Sequence, residues 1–315
     1  MPLSVGSPLL WIGFTIFVLS MIVLDLAVFH RRAHEVRYRE AVIWTLVWVS
    51  MALLFNGGIY LRFGHQRGLE FLTGYLIEYA LSVDNIFVFL LIFRYFSVPA
   101  RLQHRILFWG ILGALIMRLM FVLLGTALLY KFRWLGLVFG GFLILAGIKM
   151  LKEQEVEVHP ERNLILRLFR KVVPTLSRPF GARLLLRKRG RIYATPLLLV
   201  LIVVETTDVV FAMDSIPAIF AITPDPFVIY TSNIFAILGL RSLYFLLAGT
   251  MSKFEYLKWG LGCVLIFVGI KMLISDYVAI PIVVSLAVVS ALLGGSVIVS
   301  LFHKPGPAPP SASDQ

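Results

Sequence analysis

The chain has 315 residues, of which 59% are hydrophobic and only 15% charged, and its mean hydropathy of +0.91 exceeds what a soluble core of this length needs. This excludes a soluble globular protein and leaves a membrane protein. The formal net charge of +12 does not point to nucleic acid, because the basic stretches carry no interleaved stacking aromatics and the position of the charges matters more than their sum.

A spanning helix needs about 20 mostly apolar residues. Nine runs qualify, at roughly 9–29, 40–60, 69–93, 104–129, 133–151, 194–222, 228–251, 256–274 and 279–302. The opening MPLSVGSP has no basic residue, and no small-residue cleavage pattern follows the first run, so that run reads as a retained helix. The one cysteine, Cys263, lies inside an apolar run and allows no disulfide framework. Of the 29 Lys and Arg, 22 fall in the connections one-two, three-four, five-six and seven-eight and in the tail, against Arg62, Arg67, Lys131 and Arg133 in the alternate ones. The positive-inside rule then places the N-terminus outside and the C-terminus inside.

The expectation is an all-α integral membrane protein of about nine helices, a single transmembrane domain over 1–303 with a disordered Pro- and Ser-rich tail at 304–315. Residues 152–193 interrupt it, opening acidic and turning strongly basic. They read as a solvated cytoplasmic loop lying against anionic headgroups, with a short hairpin turning at Gly190 as the alternative.

The two halves resemble each other. EYALSVDN in span three sets Glu78 six residues before Asp84 and is completed by Asn85, and DVVFAMDS in span six sets Asp208 six residues before Asp214 and is completed by Ser215. Each is followed by a span with one arginine, Arg118 or Arg241, and then by a span with Gly-Ile-Lys-Met-Leu, at 147–151 and 269–273. With three spans per unit, the second copy enters from the opposite side, which gives an inverted-topology repeat of spans three to five (about 69–151) and six to eight (about 194–274). Repeats of that kind are typical of transporters, with the site near the midplane.

An ionised carboxylate at the bilayer centre costs about 2.5–3.5 kcal/mol, so such groups face a partner or a water-filled cavity. Five lie at mid-span, Glu78, Asp84, Glu205, Asp208 and Asp214, and Asp25 is a sixth nearer the inner end of span one. Arg118 and Arg241 offer charge balance, but two arginines against five acids leave a formal −3, and Lys271 sits near enough to a helix end to snorkel. The surplus calls for a cation; a purely structural charge network is the competing reading. All six histidines fall in connections or at span ends, and carboxylate, carbonyl and water suit Mg, Ca and Mn rather than zinc or copper. Met213 adds a thioether that favours manganese over calcium, although a methionine beside an aspartate is more often packing.

Helical spacing puts Glu205, Asp208 and Ser215 on one face, with Asp214 about 120° away from Asp208. Pro217 offers either a break near Ile216 that turns Asp214 inward and frees the Met213 carbonyl, or a plain kink. In span three, Glu78 and Asn85 share a face and Asp84 lies to the side. The off-face aspartates then either give the two copies different jobs or contact the arginines of the partner repeat.

The segments FLTGYLIEYALSVDNIFVF, ATPLLLVLIVVETTDVVFAMDSIPAIFAIT, TSNIFAILGLRSLYFLLAG and GIKMLI resemble the TerC/Alx family of integral membrane proteins, over nearly the whole chain. The resemblance implies a multi-pass protein of the bacterial inner membrane that exports Mn²⁺, without a permanently bound cofactor. Its motif acids correspond to Glu78 and Asp84, and to Glu205, Asp208 and Asp214. Tyr79, where family members differ, is assigned no role, and the cytoplasmic loop is richer in arginine than the family pattern.

The leading expectation is a secondary transporter of a divalent cation, Mn²⁺ first, working by alternating access and exchanging it for protons. No Gly-rich Lys-Ser/Thr nucleotide motif is present. An intramembrane aspartyl hydrolase lacks its Gly-x-Gly-Asp context, so the chain is not read as an enzyme. A non-transporting partner in membrane-protein assembly would use the same acids structurally. Ion selectivity, direction of transport and oligomeric state are not legible in the residues.

Overall fold

The computed structural model describes residues 4–29, 38–132, 134–152, 164–173, 184–188, 191–248, 256–275 and 277–302. In chain order the elements are α1 (Pro8–Phe29), α2 (Tyr38–Phe63), α3 (His65–Tyr95), α4 (Ala100–Lys131), α5 (Leu135–Lys152), α6 (Leu164–Val172), β1 (Leu185–Lys188), β2 (Arg191–Ala194), α7 (Pro196–Phe220), α8 (Pro226–Leu238), α9 (Leu240–Leu247), α10 (Leu257–Ile274) and α11 (Ile282–Phe302). Among the described residues eight helical spans are long and apolar enough to cross a membrane, and Pro8–Val23 of α1 forms a shorter apolar helix. The chain is an all-α membrane protein.

Local sequence accounts for the helix starts that matter most. Thr195 caps α7, accepting a hydrogen bond from the Leu198 amide at 3.4 Å, and Pro196 follows at the position where a missing N–H costs nothing. Asp225-Pro226 repeats the device at α8, with Asp225 accepting from the Phe227 amide at 2.9 Å. The run expected over 228–251 is two helices, α8 and α9, separated only by Gly239, whose φ of −74° and ψ of −16° remain helical, so they form one span over Pro226–Leu247. Between α2 and α3 the chain reverses at Gly64, where φ of 91° is open to glycine and strained for other residues.

The α8–α9 span is 94% buried and α3 is 72% buried, against 17% for α2, α5 and α11. The charged motifs therefore sit on central elements, and the lipid-facing helices are apolar. At the periphery α5 and α10 pack closely through glycine. A Cβ on Gly140 would stand 2.9 Å from the Gly269 carbonyl oxygen, and one on Gly147 would stand 2.6 Å from that of Gly262. These pairings run antiparallel and exchange the first glycine of each Gly-Ile-Lys-Met-Leu with the glycine seven residues before the other.

Two expectations change. The basic loop contains a two-stranded hairpin, with Leu185 opposite Ala194 and Lys188 opposite Arg191. Ile192 and Tyr193 give β2 some strand preference; the turn at Gly190 lies outside the described residues, as do the tail and most of the acidic stretch. Helix α7 runs unbroken through Pro217 to Phe220. Of the two readings of Pro217 the unbroken helix leaves the plain one, a proline accommodated within α7, and no break at Ile216 turns Asp214 inward. Asp25 lies in α1, and its side chain falls outside the described residues.

Candidate cation site in the membrane core

Helices α3 and α7 bring the motif acids into two groups. The first surrounds Arg118 of α4, which is 1% exposed. Its Nη1 donates to Glu78 Oε1 and to Asn233 Oδ1, and its Nη2 lies 4.0 Å from Asp208 Oδ1. Asn233 is oriented by donating its own amide to the Ile229 carbonyl at 3.3 Å. One guanidinium thus serves two buried carboxylates. Asp208 Oδ2 is buried without a hydrogen-bond partner among the described residues, a condition that costs free energy unless a proton, water or cation meets it; Glu78 Oε2 and Ser215 Oγ are buried beside each other, too poorly aligned for a regular hydrogen bond.

Glu205 lies one turn before Asp208 and is half-buried. Its carboxylate occupies the space over Gly113 of α4, where any Cβ would collide with it. The intervening threonines spend their hydroxyls within the helix, Thr206 on the Ile202 carbonyl at 2.8 Å and Thr207 on that of Val203 at 2.7 Å.

The second group lines a cavity of about 570 Å³ between α3, α5, α7 and α10. Asp84, Asn85 and Asp214 enter it, as do Met150, Met213, Lys149 and Lys258, and the rest of the wall includes Leu81, Val88, Phe142 and Leu265. The off-face aspartates of the two copies therefore share one space. Among the described residues their charged neighbours are lysines: Asp84 interacts electrostatically with Lys258 and with Asp214, and Asp214 with Lys149. Arg241 is buried in α9. Among the described residues no three His, Cys, Asp or Glu side chains are grouped closely enough to hold a metal among themselves, so the seven candidate ligands do not converge on one point.

A third polar cluster lies at the other end of α3. Glu70, 4% exposed, accepts from Arg67 Nη1 at 2.7 Å, from Gln66 Nε2 at 3.1 Å and from Thr223 Oγ1 at 2.7 Å. Asp225 in turn accepts from Ser4 Oγ at 2.9 Å and from the Val5 amide at 2.8 Å. The start of α3, the turn between α7 and α8 and the N-terminal segment are thereby tied together.

Sequence reasoning missed Asn233, Glu70, Lys149 and Lys258. Asn233 is polar within the apolar run of α8, which was a usable signal. The two lysines sit near helix ends and read as loop charges, yet their stems reach the cavity. Counting them sets four cations against five carboxylates, so the negative surplus falls to one. Lys271 lies near enough to Glu70 to act on it electrostatically, without a direct ion pair between them.

These helices, with ionisable side chains gathered along the central pair, define a multi-pass integral membrane protein with a charged core. Residues 63–306 match the integral membrane protein TerC family, and the chain belongs to that family. It is 53% identical over 311 residues to an uncharacterized membrane protein of Myxococcus xanthus, covering 99% of this chain and 97% of that one. It is 48% identical over 299 residues to Alx of Escherichia coli strain K12, whose name proposes a membrane-bound redox modulator, covering 92% and 93%. It is 41% identical over 297 residues to an uncharacterized membrane protein of Rickettsia felis, covering 93% and 98%. No solved structure matches the chain significantly.

Proposed function

We propose that the protein is a secondary transporter that exports a divalent cation, Mn²⁺ first, across the bacterial inner membrane in exchange for protons. The observation that carries this reading is the cavity into which Asp84, Asn85 and Asp214 project from α3 and α7. Hard oxygen donors suit Mg, Ca and Mn, and the thioethers of Met150 and Met213 on the same wall favour manganese among them. Two carboxylates and an amide leave most of the coordination to water, which suits an ion that must also leave. Metal binding to carboxylates releases any protons they hold, and this supplies the exchange.

The pattern of open and closed ends fits alternating access. Lys149 lies three residues before the end of α5 and Lys258 is the second residue of α10, so the cavity reaches the end of the bundle where the basic connections emerge, the cytoplasmic end by the positive-inside rule. The opposite end is held by the hydrogen bonds around Glu70 and Thr223. The reciprocal glycine pairs of α5 and α10 have the two-fold character that an inverted repeat demands. Glu78, Asp208 and Ser215 lie on the same two helices and, with the unpartnered Asp208 Oδ2, continue the route beside Arg118.

A redox role, which the name of the Escherichia coli relative proposes, has one cysteine to draw on in this chain, Cys263, too few for an internal dithiol exchange. Cellular manganese measured in cells carrying wild type, Asp84→Asn or Asp214→Asn, normalised to protein level, separates transport from an assembly role. Transport predicts manganese retention in the variants. Equal manganese at equal abundance would leave the acids structural.

A further inference from the structure

Lys149 and Lys258 stand outside the duplicated acid motifs, yet both line the cavity that holds Asp84 and Asp214. Much of the remaining wall is hydrocarbon, including Leu81, Val88, Phe142 and Leu265, so ionised aspartates there need opposite charge nearby. We propose that Lys149 and Lys258 are resident counter-cations of this cavity, tethered ammonium groups that neutralise Asp84 and Asp214 when no metal is bound and that a divalent cation must displace in order to bind. This inference rests on the transport reading and assigns to the two lysines the selectivity of its site.

The chemistry of the two cation types on the page separates their roles. Arg118 is 1% exposed and fixed by Glu78 and Asn233, a permanent member of the core. Lysine is a compact, hydrated point charge on a flexible stem, and Lys149 is exposed at the cavity rim, so its head can move into water at little cost. Across the shared cavity Lys258 acts electrostatically on Asp84 and Lys149 on Asp214, neither as a direct ion pair among the described residues. In the second copy of Gly-Ile-Lys-Met-Leu the equivalent lysine, Lys271, acts electrostatically on Glu70 of α3.

The consequence is a filter on ion charge. A monovalent ion offers either aspartate no more charge than the lysine already there, and it competes with a group held at high effective concentration. A divalent ion presents twice the charge to both carboxylates at one point and can displace both ammonium groups without altering the net charge of the cavity.

The test is Mn²⁺ binding to the full-length protein in nanodiscs, comparing wild type with Lys149→Gln, with the Lys149→Gln/Lys258→Gln pair and with Lys149→Arg/Lys258→Arg. Removing both competing charges is expected to tighten Mn²⁺ about tenfold and to let Na⁺ compete, whereas the arginine pair stays near wild type. Lys149→Gln alone, at an exposed side chain, gives a smaller tightening and serves if the pair does not fold. Mn²⁺ affinity that is unchanged or weaker in the folded glutamine variants overturns the lysine assignment while leaving transport intact. Wild-type protein that binds no divalent cation overturns both.

Discussion

Gly140 of α5 and Gly269 of α10 face each other so closely that a Cβ on either would stand within 3 Å of the other's carbonyl oxygen, at 2.9 Å and 2.7 Å. Gly147 and Gly262 repeat the relationship one heptad along. Small residues permit this backbone approach between membrane helices, where packing and not water exclusion drives association. Gly147→Val is expected to cost about 1–3 kcal/mol, the usual range for overpacking, read as a lower melting temperature in detergent. Gly141→Ala, with nothing within 4 Å of the added carbon and helical backbone on both sides, should hold or slightly raise the melting temperature.

Arg118 is the single cation between two buried carboxylates. Arg118→Leu leaves both charges unpaired and should destabilise by about 3–5 kcal/mol. Adding Glu78→Gln and Asp208→Asn to that variant should recover a large part of the loss, because the charges that needed the guanidinium are gone. Thermal unfolding of the three proteins checks both statements; a triple variant no more stable than Arg118→Leu would mean that packing, not charge, makes the arginine necessary.

The cluster at the far end of α3 should behave as a closure. Thr223→Val removes one donor from the buried carboxylate of Glu70, a loss of about 1.5–3 kcal/mol for a bond to a charged group. Because the bond joins α3 to the α7–α8 turn, amide hydrogen exchange at residues 222–229 should accelerate in the variant while exchange within α5 and α10 does not.

The architecture was legible because apolar run length is a direct consequence of bilayer thickness, and each of the nine runs has its helix. The motif spacing separates the acids as the structure does, Glu78 and Asp208 meeting at Arg118 and Asp84 and Asp214 standing apart, but Asn85, expected on the Glu78 face, lines the cavity with Asp84. What spacing could not give was the partner of the second pair. Lysine at a helix end reads as a loop charge until a four-carbon stem is seen to reach inward, so Lys149 and Lys258 were invisible and the charge surplus looked larger than it is. The hairpin at 185–194 carries little strand signal beyond Ile192 and Tyr193, so its charge reads as a solvated loop. Pro217 was a fair candidate for a break, but only one turn of α7 follows it, and the helix continues to its natural end.

Bound Mn²⁺ should stabilise the protein through the cavity aspartates. At about 100 times its dissociation constant a ligand that binds only the folded state adds about 2.7 kcal/mol, enough to raise the melting temperature by several degrees. The rise should be lost in Asp84→Asn and Asp214→Asn and kept in Tyr79→Phe.

The central claim, that the cavity aspartates carry a divalent cation across the membrane, is tested most directly by Mn²⁺ flux in proteoliposomes with internal pH recorded at the same time. Wild type should move Mn²⁺ with opposing proton movement, and Asp214→Asn should abolish both at equal incorporation. Proton movement stimulated by Mn²⁺ that persists in Asp214→Asn, or wild-type vesicles no more permeable to Mn²⁺ than protein-free ones, would contradict it.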